Sequence, residues 1–200
     1  MHTSILKRLR SESGAATVEM VIFAPVLMII IGIFVLLWDA FRTANLSLYA
    51  SYTVADSLSR ERNLITDEMI DELGDLYAFL NKTSEDTGIR VTVLQRELNA
   101  DGKPETVWKY SHATNPEFFA ATTSVDQVAE HVPLLALGSR IYITEAVTLW
   151  EPFYITGVLE PKRIYHVAAT PPRFSSPLTK KEQDDIAAAA ENPDDEESAT

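Results

Sequence analysis

Two hundred residues make one domain of ordinary size plus attachments, not two full domains. A formal net charge of −12, with no basic patch beyond the N-terminus, excludes the phosphate contacts that supply most nucleic-acid affinity. The absence of cysteine excludes disulfides, thiolate zinc sites and cysteine nucleophiles together.

The chain opens on a basic leader, residues 1–14, carrying Lys7, Arg8 and Arg10 against Glu12 alone. Residues 20–38 (MVIFAPVLMIIIGIFVLLW) carry no charge, and residues 15–18 extend the apolar run toward the roughly 20 residues that cross a hydrocarbon core. A signal-peptide core is about 7–15 residues, so residues 15–38 read as a retained transmembrane helix. The positive-inside bias leaves residues 1–14 in the cytoplasm and exports everything from Asp39 onward. Trp38 stands where an interfacial aromatic anchor is expected.

Helical spacing continues past the apolar run through residues 39–62. Phe41, Ala44, Leu48, Tyr52, Ala55 and Leu58 recur at steps of three and four and predict an apolar stripe. One helix over residues 15–60 follows, about 70 Å long, with Pro25 removing a backbone bond inside it. The extracytoplasmic domain, residues 63–174, opens on a second helix over 67–81, with Thr66 as N-cap and Ile70, Leu73, Tyr77 and Leu80 on its apolar face. A hairpin comes next: Ile89, Val91 and Val93 alternate with Arg90, Thr92 and Leu94, Asn99-Ala100-Asp101-Gly102 supplies the turn, and residues 105–111 return. Residues 124–137 pattern weakly as a short helix broken near Pro133. Residues 140–149 and 162–169 read as two more strands. The fold class is therefore α+β: a long N-terminal helix with a small antiparallel sheet. Residues 175–200 hold eight carboxylates against Lys180 and Lys181 and almost no large apolar side chain, which reads as a disordered acidic tail.

Glu19 is the residue a generic anchor has no reason to carry, because a carboxylate at depth in a bilayer costs up to about 2.5–3.5 kcal/mol. It follows a basic stretch and Gly14-Ala15-Ala16-Thr17-Val18. This start resembles the leader of type IV pilin-like proteins, in which a membrane peptidase cuts after a glycine and glutamate is the fifth mature residue. The stretch GAATVEMVIFAPVLMIIIGIFVLLWDAFRTANLSLYASYTVADSLSRE resembles the N-terminus of the TadE-like family, associated with tight-adherence (Flp) pili. Ala24-Pro25 inside the helix and Gly32 amid the aliphatic run add to the match, and Met20 departs from it, standing where the family usually has an aromatic residue. Near the C-terminus, ITEAVTLWEPF and the strand reaching Ala168-Ala169-Thr170-Pro171-Pro172-Arg173 resemble the family's closing segment. The resemblance implies a pilin-like fold, prepilin-peptidase processing between Gly14 and Ala15, and Glu19 pairing with a neighbouring subunit's α-amino group. The partners it implies are other Tad pilus assembly proteins and pseudopilins, in a bacterial inner membrane. A plain signal anchor with a chance glutamate is the alternative reading of these residues.

No catalytic constellation or cofactor motif emerges, so neither an enzyme nor a cofactor is expected. His2, His112, His131 and His166 are scattered without metal-ligand spacing. Asp67, Glu68, Asp71, Glu72 and Asp75 read as a solvated helix face rather than a cation site. Trp108, Tyr110, Trp150, Phe153 and Tyr154 read as core or cross-strand aromatics ahead of an adhesive surface. The functional expectation is a structural role through membrane helix packing, with Glu19 and Gly32 at the contact. The competing expectation is a membrane-tethered binding or adhesin module that does not polymerise.

Overall fold

The computed structural model describes residues 12–62, 64–82, 86–120, 124–152, 160–174 and 182–184, with the backbone alone for residues 12–16. Lys7, Arg8, Arg10, Phe153, Tyr154 and most of the acidic tail lie outside the described residues. Helix α1 (Glu12–Ser59) runs 48 residues with Pro25 inside it, starting three residues before the expected Ala15. Helix α2 (Asp67–Asn81) starts at the expected cap: the Thr66 hydroxyl accepts from the Met69 N–H at 3.3 Å. It ends where Lys82 turns left-handed at φ 62°.

Strands β1 (Thr87–Leu98), β2 (Pro104–Ala113), β3 (Arg140–Trp150) and β4 (Lys162–Thr170) form one antiparallel sheet in the order β2-β1-β3-β4. The turn between β1 and β2 forms as its residues predict. The Asn99 side-chain oxygen accepts from the Asp101 and Lys103 N–H groups, and Gly102 takes φ 72°. A bulge shifts the β1–β2 register between Val93 and Leu94. The architecture is thus the expected α+β, with a long apolar N-terminal helix and a four-stranded sheet.

Both faces of the sheet are covered, so residues 140–148 of β3 are buried without a break rather than in alternation. On one face Ile89, Val91, Val93, Tyr142 and Ala146 meet Val54 and Leu58 of α1 and Ile70, Leu73 and Tyr77 of α2. On the other, Leu94, Ile141 and Ile143 meet Val128, with Trp108, Val125, Val132 and Leu135 packed around them. The segment expected as a broken helix over 124–137 is two single 3-10 turns, Val125–Gln127 and Ala129–His131, ahead of Pro133. Covering a flat sheet face needs an extended path with spaced apolar residues, and that removes the helical period.

The stripe that seats α1 also differs from the expected one. Phe41 and Tyr52 remain 68% and 56% exposed, while Ser47, Ala50, Ser51, Val54, Ala55, Leu58 and Ser59 are buried. Small side chains let the helix axis approach the sheet; bulky aromatics are left on the far side. At the centre of that contact Ser47 Oγ lies 2.7 Å from Tyr77 Oη, which lies 2.8 Å from Thr148 Oγ1, and the Thr148 hydroxyl donates to Ser47 at 3.2 Å. Three hydroxyls from α1, α2 and β3 thus satisfy one another out of water.

Helix α2 rests on the chain just after β2 with no room to spare. A Cβ built on Gly74 would stand 2.7 Å from Thr114 Cγ2. Gly74→Ala is expected to destabilise the fold by about 1–3 kcal/mol through overpacking. Thr114→Ser, which keeps the hydroxyl bonded to the Ile89 N–H and removes the closest atom, Cγ2, should restore part of that loss in the double variant. Equal stability of the Gly74→Ala single variant and the parent in denaturant titration would contradict the close approach.

Candidate functional site

The apolar part of α1 makes no contact with the rest of the described chain. The most apolar stretch has a mean hydropathy of 3.1 and none of it is buried, making α1 the one described helix long and apolar enough to cross a membrane. Every turn from Val18 to Trp38 presents large side chains to the surroundings, with Met20 at 71% and Trp38 at 74% exposure. Glu19 is exposed on this surface. At Gly32 an added Cβ would meet nothing within 4 Å. Nothing among the described residues therefore calls for glycine at position 32, although glycine in a helix interior costs about 0.8–1 kcal/mol relative to alanine. The Gly14–Ala15 bond lies in the first turn of α1, among the residues whose side-chain surroundings are outside the description. Glu19 and Gly32, 13 positions apart in sequence, are brought together with no other group of the described chain.

The bare surface continues beyond the uncharged run of residues 20–38. Trp38, Phe41, Arg42, Asn45, Leu46 and Tyr49 line a shallow, mostly apolar groove along α1. Their spacing of three and four puts them on one side of the helix, and the buried stripe from Ser47 to Ser59 on another. Of these residues the apolar stripe read from the sequence included only Phe41, because hydrophobicity alone does not say which face of the helix a sheet will take.

Two polar clusters are paired within the fold. Arg90 and Glu145 face each other across β1 and β3, and the guanidinium grips the carboxylate through Nε at 2.6 Å and Nη2 at 2.7 Å. Tyr165 donates to Glu145 at 2.5 Å, and Arg90 also donates to the Ala120 carbonyl and lies over the Phe119 ring. Burial, then the Glu145 carboxylate, pushes the Tyr165 phenol up from its ordinary value. This pair is only 15% and 3% exposed, so it fixes register; it is not an open site. The sequence offered a signal in Arg90 and Glu145, charges at strand positions otherwise apolar.

On α2, Asp67 and Asp71 are not merely solvated. Tyr110 donates to Asp67, and His112 Nε2 lies 2.9 Å from Asp71 Oδ1. Burial, then Asp67, raises the Tyr110 phenol. Tyr110 is core, Trp108 is half-buried against the second cluster, and the Trp150 indole donates to Asp39 Oδ2 at 2.9 Å. No group of three or more metal-ligating side chains occurs among the described residues. Within the segment read as a disordered tail, residues 182–184 form a helical turn. Glu182 there clasps the buried Arg140 guanidinium through Nη1 at 3.1 Å and Nη2 at 2.7 Å. A guanidinium 7% exposed draws a carboxylate to itself.

Comparison with family models, with curated proteins and with solved structures returned no match.

His166 on β4 turns toward α1. Burial lowers its pKa from the ordinary value, opposed by a bond to the Ala44 backbone, and its Nε2 is buried without a partner among the described residues. The unfolded chain takes up a proton near pH 6.5 while the folded imidazole resists it. Stability contributed by the neutral form is thus present above that pH, declines as pH falls through it, and levels off below the folded value. The drop in melting temperature between about pH 7.5 and pH 5 should be smaller in His166→Asn than in the parent. An identical drop in both would contradict a partly buried imidazole that resists protonation.

Proposed function

We propose that this chain is a TadE-like minor pilin or pseudopilin acting in Flp (tight-adherence) type IV pilus assembly. Its N-terminus is cytoplasmic, α1 crosses the bacterial inner membrane once, and the α+β domain stands in the periplasm. The prepilin peptidase cuts between Gly14 and Ala15, freeing an α-amino group. The pilin-like role is carried by one observation: a 48-residue helix that docks on the domain only from Asp39 onward and leaves the apolar stretch before it bare.

The chemistry supports a partner of the same kind. In lipid, helices associate through close packing at small residues and through polar groups that find one another. Gly32 provides the first and Glu19 the second, and neither has a use within the described chain. The groove from Trp38 to Tyr49 adds a further apolar strip to the same helix, beyond the bilayer. A neighbouring subunit's α-amino group neutralises the Glu19 carboxylate and removes the cost of burying it. Partners are then other Tad pilus assembly proteins and pseudopilins.

Glu19→Leu separates this role from simple tethering. The change removes a penalty of up to about 2.5–3.5 kcal/mol, so an isolated anchor inserts at least as well. If the carboxylate meets a partner's amino group, membrane insertion stays intact while co-purification of the complex and the number of surface pili both fall. Gly14→Val, which crowds the backbone at the cut, should leave the intact mass at the full-length value in peptidase-positive cells. Normal piliation with leucine at position 19 would leave the chain a tethered binding or adhesin module.

A further inference from the structure

The domain hangs from α1 at a fixed height, and three contacts set it. At the top the Arg173 N–H donates to the Ser59 carbonyl at 2.8 Å; in the middle Thr148 meets Ser47; at the bottom the Trp150 indole donates to Asp39 at 2.9 Å. Asp39 is the first charged residue after the uncharged run of residues 20–38. A span that ends at Trp38 puts Asp39 in the headgroup layer, and the bond to it puts the Trp150 indole there as well. Strand β4 ascends in the same sense as α1, and its first residue, Lys162, pairs with Trp150. Ser47, which meets Thr148, lies eight residues, about 12 Å, up α1 from Asp39. Trp150 lies two strand residues, about 7 Å, below Thr148 and bonds Asp39 through its indole. Trp150 and its partner Lys162 therefore stand within about one helical turn of the level of Asp39.

We propose that the Trp150–Lys162 end of the sheet is a second membrane contact, seated among lipid headgroups beside the point where α1 leaves the bilayer. The proposal rests on α1 spanning the membrane. Trp150 is half-buried and joins the 74%-exposed Trp38 at one level, the position that indoles favour at a membrane interface. Lys162 and Arg163 are exposed beside it, Arg163 lying 5.3 Å over the Phe118 ring. Their long stems let the charges reach phosphates while the methylenes cover apolar surface. Glu151 and Glu160 are also exposed at this end, so net charge does not select the surface. Height and the indole do, and the contact forms on zwitterionic lipid as well as on anionic lipid. The sheet then braces α1 against tilting, which one helix alone does not resist.

The absence of cysteine makes the test direct. Single-cysteine variants of the full chain, Lys162→Cys, Asp101→Cys and Gly32→Cys, are labelled with an environment-sensitive fluorophore and reconstituted in phosphatidylcholine vesicles. Lipids carrying a nitroxide quencher near the headgroup or deep in the acyl chain are added. Emission from position 162 should be quenched by the shallow nitroxide, emission from position 32 by the deep one, and emission from position 101, in the β1–β2 turn at the opposite end of the sheet, by neither. Quenching at 32 with position 162 as unquenched as position 101 overturns the second contact and leaves the span standing. No quenching at 32 overturns the span and the contact with it.

Discussion

Small side chains on one face of α1 let a helix of about 70 Å lie close against the sheet, and the rest of the arrangement depends on that approach. Ser47, Ala50, Ser51 and Ala55 keep the axis near β3 and β4, and Val54 and Leu58 supply the apolar area. Buried hydroxyls without partners would each cost about 1–3 kcal/mol. Ser47, Tyr77 and Thr148 avoid that cost only when α1, α2 and β3 are all in register. The hydroxyl ring therefore makes seating of the helix conditional on the right depth and rotation, a specificity that apolar contact alone does not give.

The seating has two consequences for the membrane. Because the domain is seated on α1 from Asp39 onward, the apolar stretch before it stands free, with Glu19 and Gly32 on a surface that no described part of the chain covers. Because the seated face is the small one, the aromatic face from Trp38 to Tyr49 is turned outward, in line with the span. Both surfaces suit a subunit whose helix packs against other helices. The Trp150 bond to Asp39 closes the lower end of the contact and sets the height of the sheet.

Much of this was legible in the sequence, for physical reasons that differ from element to element. Local chemistry announced α2 through Thr66 and the β1–β2 turn through Asn99 and Gly102, because caps and turns are built by the residues that occupy them. The apolar helix was legible from its uncharged run. The seating face of α1 was not, since Phe41 and Tyr52 outweigh Ser47 and Ser51 on any hydrophobic count, and only the sheet's approach decides for the smaller side chains. The path over 124–137 was hidden for a related reason: its apolar residues answer to a surface elsewhere in sequence rather than to a local period. Arg140 and Glu182 pair across 42 positions, and no local pattern links them. Of the candidate site, Glu19 and Gly32 were read from resemblance and from the cost of their presence; the groove from Trp38 to Tyr49 emerged only once the other face was occupied.

The end of α1 that is seated on the sheet packs as part of the domain, with the bare apolar stretch held out from it. Amide hydrogen exchange on the full chain in detergent micelles tests this unity, because residues that open together share one opening free energy. Amides of residues 50–58 should exchange at the same opening free energy as those of residues 141–147, and Tyr77→Phe should lower both by the same amount. Fast exchange over 50–58 beside a sheet that stays protected would show that the helix is not part of the domain, and would contradict the seating described for it.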